Sequence, residues 1–68
     1  VMSDFKTRLV NEVKELTERV EKLSVFIDSS KFKELESVDR EDLVEQLKHM
    51  KAYLNVLKRR VSRLVGDI

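Results

Sequence analysis

The sequence predicts an all-α fold, an antiparallel two-helix hairpin with a coiled-coil-like seam and a short helical turn in its connector. Proline is absent and glycine occurs once in 68 residues, so the usual residues of β-turns and Gly-rich loops are missing. Charged residues make up 40% and apolar residues 41% of the chain, a balance typical of long amphipathic helices. Two heptad-spaced apolar rows support this fold in one domain spanning residues 1–68.

The first helix is predicted to run from about Ser3 to about Ile27. Ser3 offers the side-chain oxygen of an N-cap residue, and Asp4 complements the positive end of the helix in its first turn. Apolar residues then recur at alternating spacings of four and three, which is the a/d seam of a coiled coil. This first seam consists of Leu9, Val13, Leu16, Val20, Leu23 and Ile27.

Residues 28–36 are predicted to connect the two helices. The aspartate and two serines at 28–30 carry side-chain oxygens that compete for backbone hydrogen bonds, so the first helix should end there. Phe32 and Leu35 are three residues apart and share one face of a short helical turn. We expect this turn to fold back and to cover the closed end of the hairpin with Phe32.

The second helix is predicted to run from about Val38 to about Val65. Ser37 is the expected N-cap, and Gly66 stands where the residue after a helix end belongs. Its apolar residues follow the same alternation of spacings, which again indicates a coiled-coil seam. This second seam consists of Leu43, Leu47, Met50, Leu54, Leu57, Val61 and Leu64.

A connector this short requires the two helices to run antiparallel. When the two seams are aligned on either side of the connector, Ile27 lies near Leu43 and Leu9 lies near Val61. Further apolar residues flank both seams and widen the apolar stripe beyond what one partner helix covers. We therefore expect the hairpins to assemble into an oligomeric helical bundle. The flanking residues are Phe5, Val10, Phe26, Val44, Tyr53 and Val65.

The composition argues against catalysis and metal binding. Cysteine is absent, and the single histidine, His49, lacks the partners of a zinc site or a catalytic triad. Glu41, Asp42 and Glu45 lie within one turn and could hold a cation, but acidic residues at a helix N-terminus more often complement the helix dipole. We expect no enzyme activity, no cofactor and no metal.

Net charge and hydropathy narrow the choice of partners. The net charge is only +1, so no bulk attraction to membranes or duplex nucleic acid is expected. The longest apolar run has three residues, which predicts neither a membrane span nor a secretory signal. These features predict a soluble intracellular protein.

The charges are distributed unevenly along the chain. Residues 34–45 carry six acidic side chains and one basic one, whereas residues 46–68 carry six basic side chains and one acidic one. Antiparallel folding brings Lys6 and Arg8 near the basic residues at 59–63, so the open end of the hairpin should be basic. One interpretation is a solvated face with cations at a helix C-terminus, and the other is an anion-binding site.

One row beside the seam mixes aromatic, basic and amide side chains. The seam alignment pairs Glu12 with Arg60 and Arg19 with Tyr53. The row is either an interhelical ion pair with a cation–π contact, or a nucleotide-binding ridge that offers stacking, paired donors and edge hydrogen bonds. It contains Phe5, Glu12, Arg19 and Phe26 on the first helix and Gln46, Tyr53 and Arg60 on the second.

Part of this pattern exceeds what a heptad repeat demands. The spacing Gln46-x3-Met50-x2-Tyr53-x6-Arg60 is not required by a coiled coil. The pattern extends over about residues 5–61, and its other members are Glu12, Leu16, Lys22, Leu23, Phe26, Phe32, Leu35, Leu47 and Leu57. On these residues the chain resembles a family of very small phage proteins related to a crAss-like-phage hypothetical protein.

In shape the chain is also similar to the helical-hairpin sponge proteins of phages. Those proteins form oligomers that sequester the cyclic nucleotide signals of bacterial immunity, such as those of CBASS and Thoeris. The resemblance implies a non-enzymatic anti-defence protein in the host cytoplasm that binds a cyclic oligonucleotide between subunits. A protein-interaction module, docking its apolar helix face on a host or phage partner, is the alternative. The expected ligand-binding residues are Tyr53, Arg60, Gln46, Glu12, Arg8, Arg59 and Arg63.

Overall fold

The computed structural model describes residues 2–66, with side chains described for residues 4–64. Three helices follow in order: α1 (Met2–Ile27), α2 (Ser30–Lys33) and α3 (Ser37–Gly66). The two long helices pack against each other as an elongated hairpin 48 Å long and 16 Å wide. No strand occurs among the described residues, and the predicted all-α hairpin with a helical turn in its connector is confirmed.

The helix ends differ slightly from the predicted ones. Because α1 is helical from Met2, Ser3 lies inside its first turn and is not its N-cap. Likewise, the Arg40 N–H bonds to the Glu36 carbonyl at 3.0 Å, so Ser37 is the first residue of α3 and not its cap. Gly66 closes α3 instead of following it. The side chain of Val65, predicted to flank the seam, lies outside the described residues.

The core consists of seam residues from both long helices. Leu57 is fully buried, and four further seam side chains expose less than a tenth of their surface. The apolar area that these residues remove from water is the main stabilising contribution available to a hairpin of this size. The buried residues are Leu9, Leu16, Val20, Leu54 and Leu57, with Val13, Leu47, Met50, Val61 and Leu64 packed against them.

The connector folds back on the end of α1 as predicted. Ser29 caps α2 by accepting the Phe32 N–H at 3.4 Å, and its own hydroxyl donates to the Phe26 carbonyl at 2.5 Å. These bonds hold the Phe32 ring edge-on to the Phe26 ring, with centroids 6.2 Å apart. The pair covers the closed end of the hairpin, and Phe26 is consequently half-buried.

The register of the two long helices differs from the predicted one by a full heptad. Glu12 contacts Tyr53 instead of Arg60, and Arg60 contacts Phe5. The reason lies in the connector, because Ile27 and Ser37 flank it and therefore lie at the same level. Glu12 is 15 residues before Ile27 and Tyr53 is 16 residues after Ser37, so these two side chains meet. The predicted pairing of Ile27 with Leu43 was wrong because it left the first turns of α3 without a partner.

Several large apolar side chains remain in water. The flanking residues Phe5, Val10 and Val44 are each about half exposed, at 45%, 51% and 50%. Val25 and Val38, which the sequence analysis did not single out, are more exposed still, at 71% and 63%. Within residues 2–66, no helix is both long enough and apolar enough to cross a bilayer.

Candidate functional site

The candidate site is a ridge on one side of the seam, near the open end of the hairpin. We call it the open-end ridge, and it is formed by Phe5 and Glu12 of α1 with Tyr53 and Arg60 of α3. In each helix the two residues are seven apart, two turns, and each occupies the g position just before an a residue of the heptad. Antiparallel packing places g positions of both helices on the same side, which is why these four side chains meet.

Tyr53 and Glu12 are joined across the helices by a hydrogen bond. The Tyr53 hydroxyl donates to Oε1 of Glu12, while about half of the tyrosine side chain faces water, with 49% exposed. This bond to a carboxylate favours the protonated phenol and therefore raises the pKa of Tyr53 above its usual value. The bond fixes the position of the ring and leaves part of it open to solvent.

Arg60 lies over the Phe5 ring, with its guanidinium carbon 5.9 Å from the ring centroid. Such a cation–π contact at an exposed site contributes about 0.5 to 1 kcal/mol. The predicted ion pair between Glu12 and Arg60 was wrong, because Glu12 pairs with Tyr53 once the register shifts by a heptad. The Arg60 guanidinium therefore keeps donors that a ligand can use.

Two adjoining hollows open beside the ridge. The larger, of about 290 Å³, is lined by Phe5, Arg8, Leu9, Glu12 and Arg60. The smaller, of about 180 Å³, is lined by Phe5, Leu9, Arg60, Arg63 and Leu64. Together they combine three arginines and one carboxylate with an apolar floor. This set can hold a ligand that has both a flat apolar part and negative charge.

The structure groups some of the predicted site residues and separates others. Tyr53, Glu12, Arg60, Arg8 and Arg63 all belong to the ridge or its hollows.

Two further predicted residues and one ridge candidate lie elsewhere. Gln46 is two turns towards the closed end and donates to the Met50 sulfur at 3.8 Å. Arg59 is exposed and lines neither hollow, and Arg19 pairs with Glu15 on its own helix at 3.9 Å. Leu9 and Leu64, which form part of the floor, were assigned to the seam alone in the sequence analysis.

A larger groove runs along α3 from the closed end, and the sequence analysis missed it. We call it the α3 groove. Its first part, of about 510 Å³, is lined by Phe32, Arg40, Glu41, Val44, Glu45 and Lys48. Its second part, of about 480 Å³, is lined by Val44, Leu47, Lys48, Lys51, Ala52 and Asn55. The Nε atom of Arg40 is buried there without a hydrogen-bond partner.

The part of the chain that the structure describes contains no candidate metal site. No group of three or more histidine, cysteine, aspartate and glutamate side chains could hold an ion there. His49 pairs with Glu45 at 3.5 Å on the surface of α3, in line with the surface position predicted for it.

Comparison with known proteins connects the chain to phages. A protein-family model described as Sequestin matches residues 3–63. The chain is also 31% identical over 62 residues to an uncharacterized 7.5 kDa protein of the denB-rIIB intergenic region in enterobacteria phage T4, covering 91% of this chain and 97% of that protein. No solved structure matches. The expected small phage protein family is thus confirmed, while a relationship to crAss-like phages stays a prediction.

Proposed function

The chain belongs to the Sequestin family of small phage proteins, and from this premise we propose that it binds and sequesters a cyclic nucleotide immune signal without changing it chemically. The family name itself suggests a sequestering role. The observation that supports the ligand class is the grouping of three arginines with two half-exposed aromatic rings at the open-end ridge. Guanidinium forks match phosphate oxygens, and aromatic rings stack on bases.

The dimensions of the ridge suit a cyclic oligonucleotide. Tyr53 and Arg60 are seven residues apart, which corresponds to about 10.5 Å along the helix axis. A base stacked on the Tyr53 ring would therefore leave a phosphate within reach of Arg60. Arg8 and Arg63 extend the positive surface on either side and would hold a second phosphate.

One hairpin supplies only part of an enclosing site. The larger hollow, at about 290 Å³, is at the lower end of the range of about 300–1,000 Å³ seen for small-molecule pockets. A ligand seated on one ridge would keep an exposed face, which a second subunit would cover. Contacts from two subunits would allow a chain with a small core to hold a signal tightly.

A thermal-shift panel of cyclic dinucleotides, cyclic trinucleotides and cyclic ADP-ribose isomers tests this function. A ligand at 100 times its Kd should stabilise the folded protein by about 2.7 kcal/mol. The bound compound should be recovered intact after the protein is denatured, because sequestration involves no chemical step. If no compound in the panel shifts the melting temperature, or if the compound is recovered cleaved, the proposal fails.

A protein-interaction module is the second candidate, and the exposed valines favour it. Val25, Val38 and Val56 present apolar surface that a partner helix could cover. Binding of a partner protein at these valines would not use the open-end ridge, so substitutions at Arg60 would not affect that binding. A host or phage protein that binds wild type and the Arg60→Ala variant equally, with no nucleotide ligand found, would favour the second candidate.

A further inference from the structure

The α3 groove lies on the side of the hairpin opposite the open-end ridge. The two cross-helix contacts of the ridge join g positions, so the e positions of both helices face the other way. Val44 and Lys51 of the groove are e residues, and Lys48 lies beside them on the same face. The groove is therefore an apolar strip, separate from the proposed ligand site, with Glu41 and Glu45 at its rim near the closed end and Lys48 and Lys51 further along.

Two stripes of opposite charge run along the two long helices, and all of their side chains except that of the half-buried Arg40 are exposed. On α3 the stripe is Arg40, Val44, Lys48 and Lys51, at spacings of four, four and three. On α1 and the residue after it the stripe is Glu18, Glu21, Val25 and Asp28, at spacings of three, four and three. Each spacing is that of neighbours on one helix face, and the Asp28 N–H still bonds to the Ser24 carbonyl in helical fashion.

We infer that the α3 groove binds the α1 stripe of a second copy of this chain, with the two helices antiparallel. In that register Val25 lies against Val44, Glu21 faces Lys48 and Glu18 faces Lys51. In the same register, Asp28 of one copy lies beside Arg40 of the other. The inference adds a specific interface to the assembly expected in the proposed function.

The order of the charges selects this arrangement. A parallel α1 helix with Val25 against Val44 would form only two pairs of opposite charge and would leave Glu18 and Lys51 without a partner, whereas the antiparallel helix forms three such pairs. Two α3 stripes facing each other would bring lysines together, and two α1 stripes would bring carboxylates together, both of which are repulsive. The antiparallel pairing of α1 with α3 gives both an apolar contact and opposite charges.

Two further observations favour a second copy as the occupant of the groove. Val25 is the most exposed of the large apolar side chains described, at 71%, and it has no apolar neighbour on its own stripe. Arg40 lines the groove beside Val44 and makes no salt bridge among the described residues, and Asp28 of the second copy would supply one. The contact leaves the open-end ridge free for ligand or for another copy.

Cross-linking tests the register directly, because the chain has no cysteine of its own. A Val25→Cys chain is mixed with a Val44→Cys chain of different mass and oxidised mildly. The matched control replaces Val44→Cys with Val56→Cys, since Val56 is an exposed valine of α3 outside the stripe. We expect at least fivefold more mixed disulfide from the first mixture. Equal yields from the two mixtures would overturn the proposed interface.

Charge exchange tests the same contact without cysteine. Lys48→Glu with Lys51→Glu should weaken self-association at least tenfold by sedimentation equilibrium, because two attractive pairs become repulsive. Adding Glu18→Lys and Glu21→Lys to that chain should restore the association. Lys31→Glu with Lys33→Glu changes the net charge equally on α2 and should have no effect. Assembly that is insensitive to the stripe, or a wild type that stays monomeric, overturns the inference.

The proposed interface and the proposed nucleotide binding can be disproved independently of each other. Nucleotide binding is measured on the same proteins through the fluorescence of Tyr53, which is the chain's single tyrosine in the absence of tryptophan. A monomer that binds nucleotide would overturn the interface and the enclosure of the ligand between subunits, but the assignment of the ligand class would stand. An assembly with the predicted cross-link that binds no nucleotide would overturn the proposed function alone.

Discussion

The two ends of the hairpin use aromatic residues in opposite ways. At the closed end, Phe32 packs edge-on against Phe26 and both rings are at least half-buried by the connector that crosses over them. At the open end no connector crosses, and Phe5 and Tyr53 keep 45% and 49% of their surface in water. The same residue type therefore stabilises the fold at one end and offers a binding surface at the other.

The polar partners of the rings follow the same division. Ser29 satisfies backbone groups at the closed end, so its hydrogen bonds hold the connector together. Arg60 and Glu12 instead contact ring surfaces or ring hydroxyls at the open end, and both border a hollow. We conclude that the polar groups of the closed end hold the connector in place, whereas those of the open end are available to a ligand, and the buried core lies along the seam between the two ends.

The largest effect expected from this comparison is on the free energy of unfolding. Phe32→Ala should cost about 3 kcal/mol, because it removes the ring that covers the closed end. Phe5→Ala, the matched change at the open end, should cost about 1 kcal/mol or less, since its ring is already half in water. Urea unfolding followed by circular dichroism measures both. Equal losses would show that the two ends are built alike.

The capping serine provides a smaller test of the closed end. Ser29→Ala removes the acceptor for the Phe32 N–H and should cost about 1 kcal/mol. Ser30→Ala, one residue further on, is the control because Ser30 is inside α2 and makes no cap. Thermal melts of both variants at equal concentration give the comparison. If Ser30→Ala destabilises the protein as much as Ser29→Ala, the connector is not held by the cap.

The smallest expected effect concerns the ionisation of Tyr53 at the open end. Glu12→Gln should lower the pKa of Tyr53 towards its usual value of about 10, because a neutral amide accepts the hydroxyl proton less strongly than a carboxylate. Tyrosinate absorbance measures the pKa directly, since the chain has one tyrosine and no tryptophan. Glu15→Gln on the same helix should leave the titration unchanged.

The sign of the accompanying stability change follows from the raised pKa. Stabilisation by the Tyr53 bond is fully present below the unfolded pKa of about 10 and is lost as pH rises through the higher folded pKa. Wild type should therefore lose stability faster than Glu12→Gln above about pH 10. Identical pH profiles would mean that the hydrogen bond to Glu12 is not maintained in solution.

The seam and the connector were predictable because local chemistry determines them. Alternating apolar spacings identify the buried face, and the oxygens at residues 28–30 end α1 where the structure ends it. The register was not predictable from the seams, because after a shift of seven residues the a and d residues in the middle of the hairpin still face apolar residues. The register is instead determined by the connector, which places Ile27 and Ser37 at the same level of the hairpin.

The ambiguous register also limited what could be predicted about the candidate site. The arginines and aromatic residues of the open end could be grouped from charge and heptad position, but their partners could not, since each partner depends on the register. Glu12 was therefore assigned to Arg60 and not to Tyr53. The α3 groove was missed because its mixture of lysine and valine is also typical of a solvated helix face.

The central claim is that the open-end ridge binds a phosphate-bearing ligand. The most direct test is calorimetric titration of Arg60→Ala and Arg19→Ala with the best cyclic nucleotide found for wild type. Both variants remove one guanidinium from a g position, but Arg19 is away from the hollows and pairs with Glu15. We predict that Arg60→Ala weakens binding at least tenfold while Arg19→Ala binds like wild type. Equal affinities for the two variants would contradict the assignment of the site to the open end.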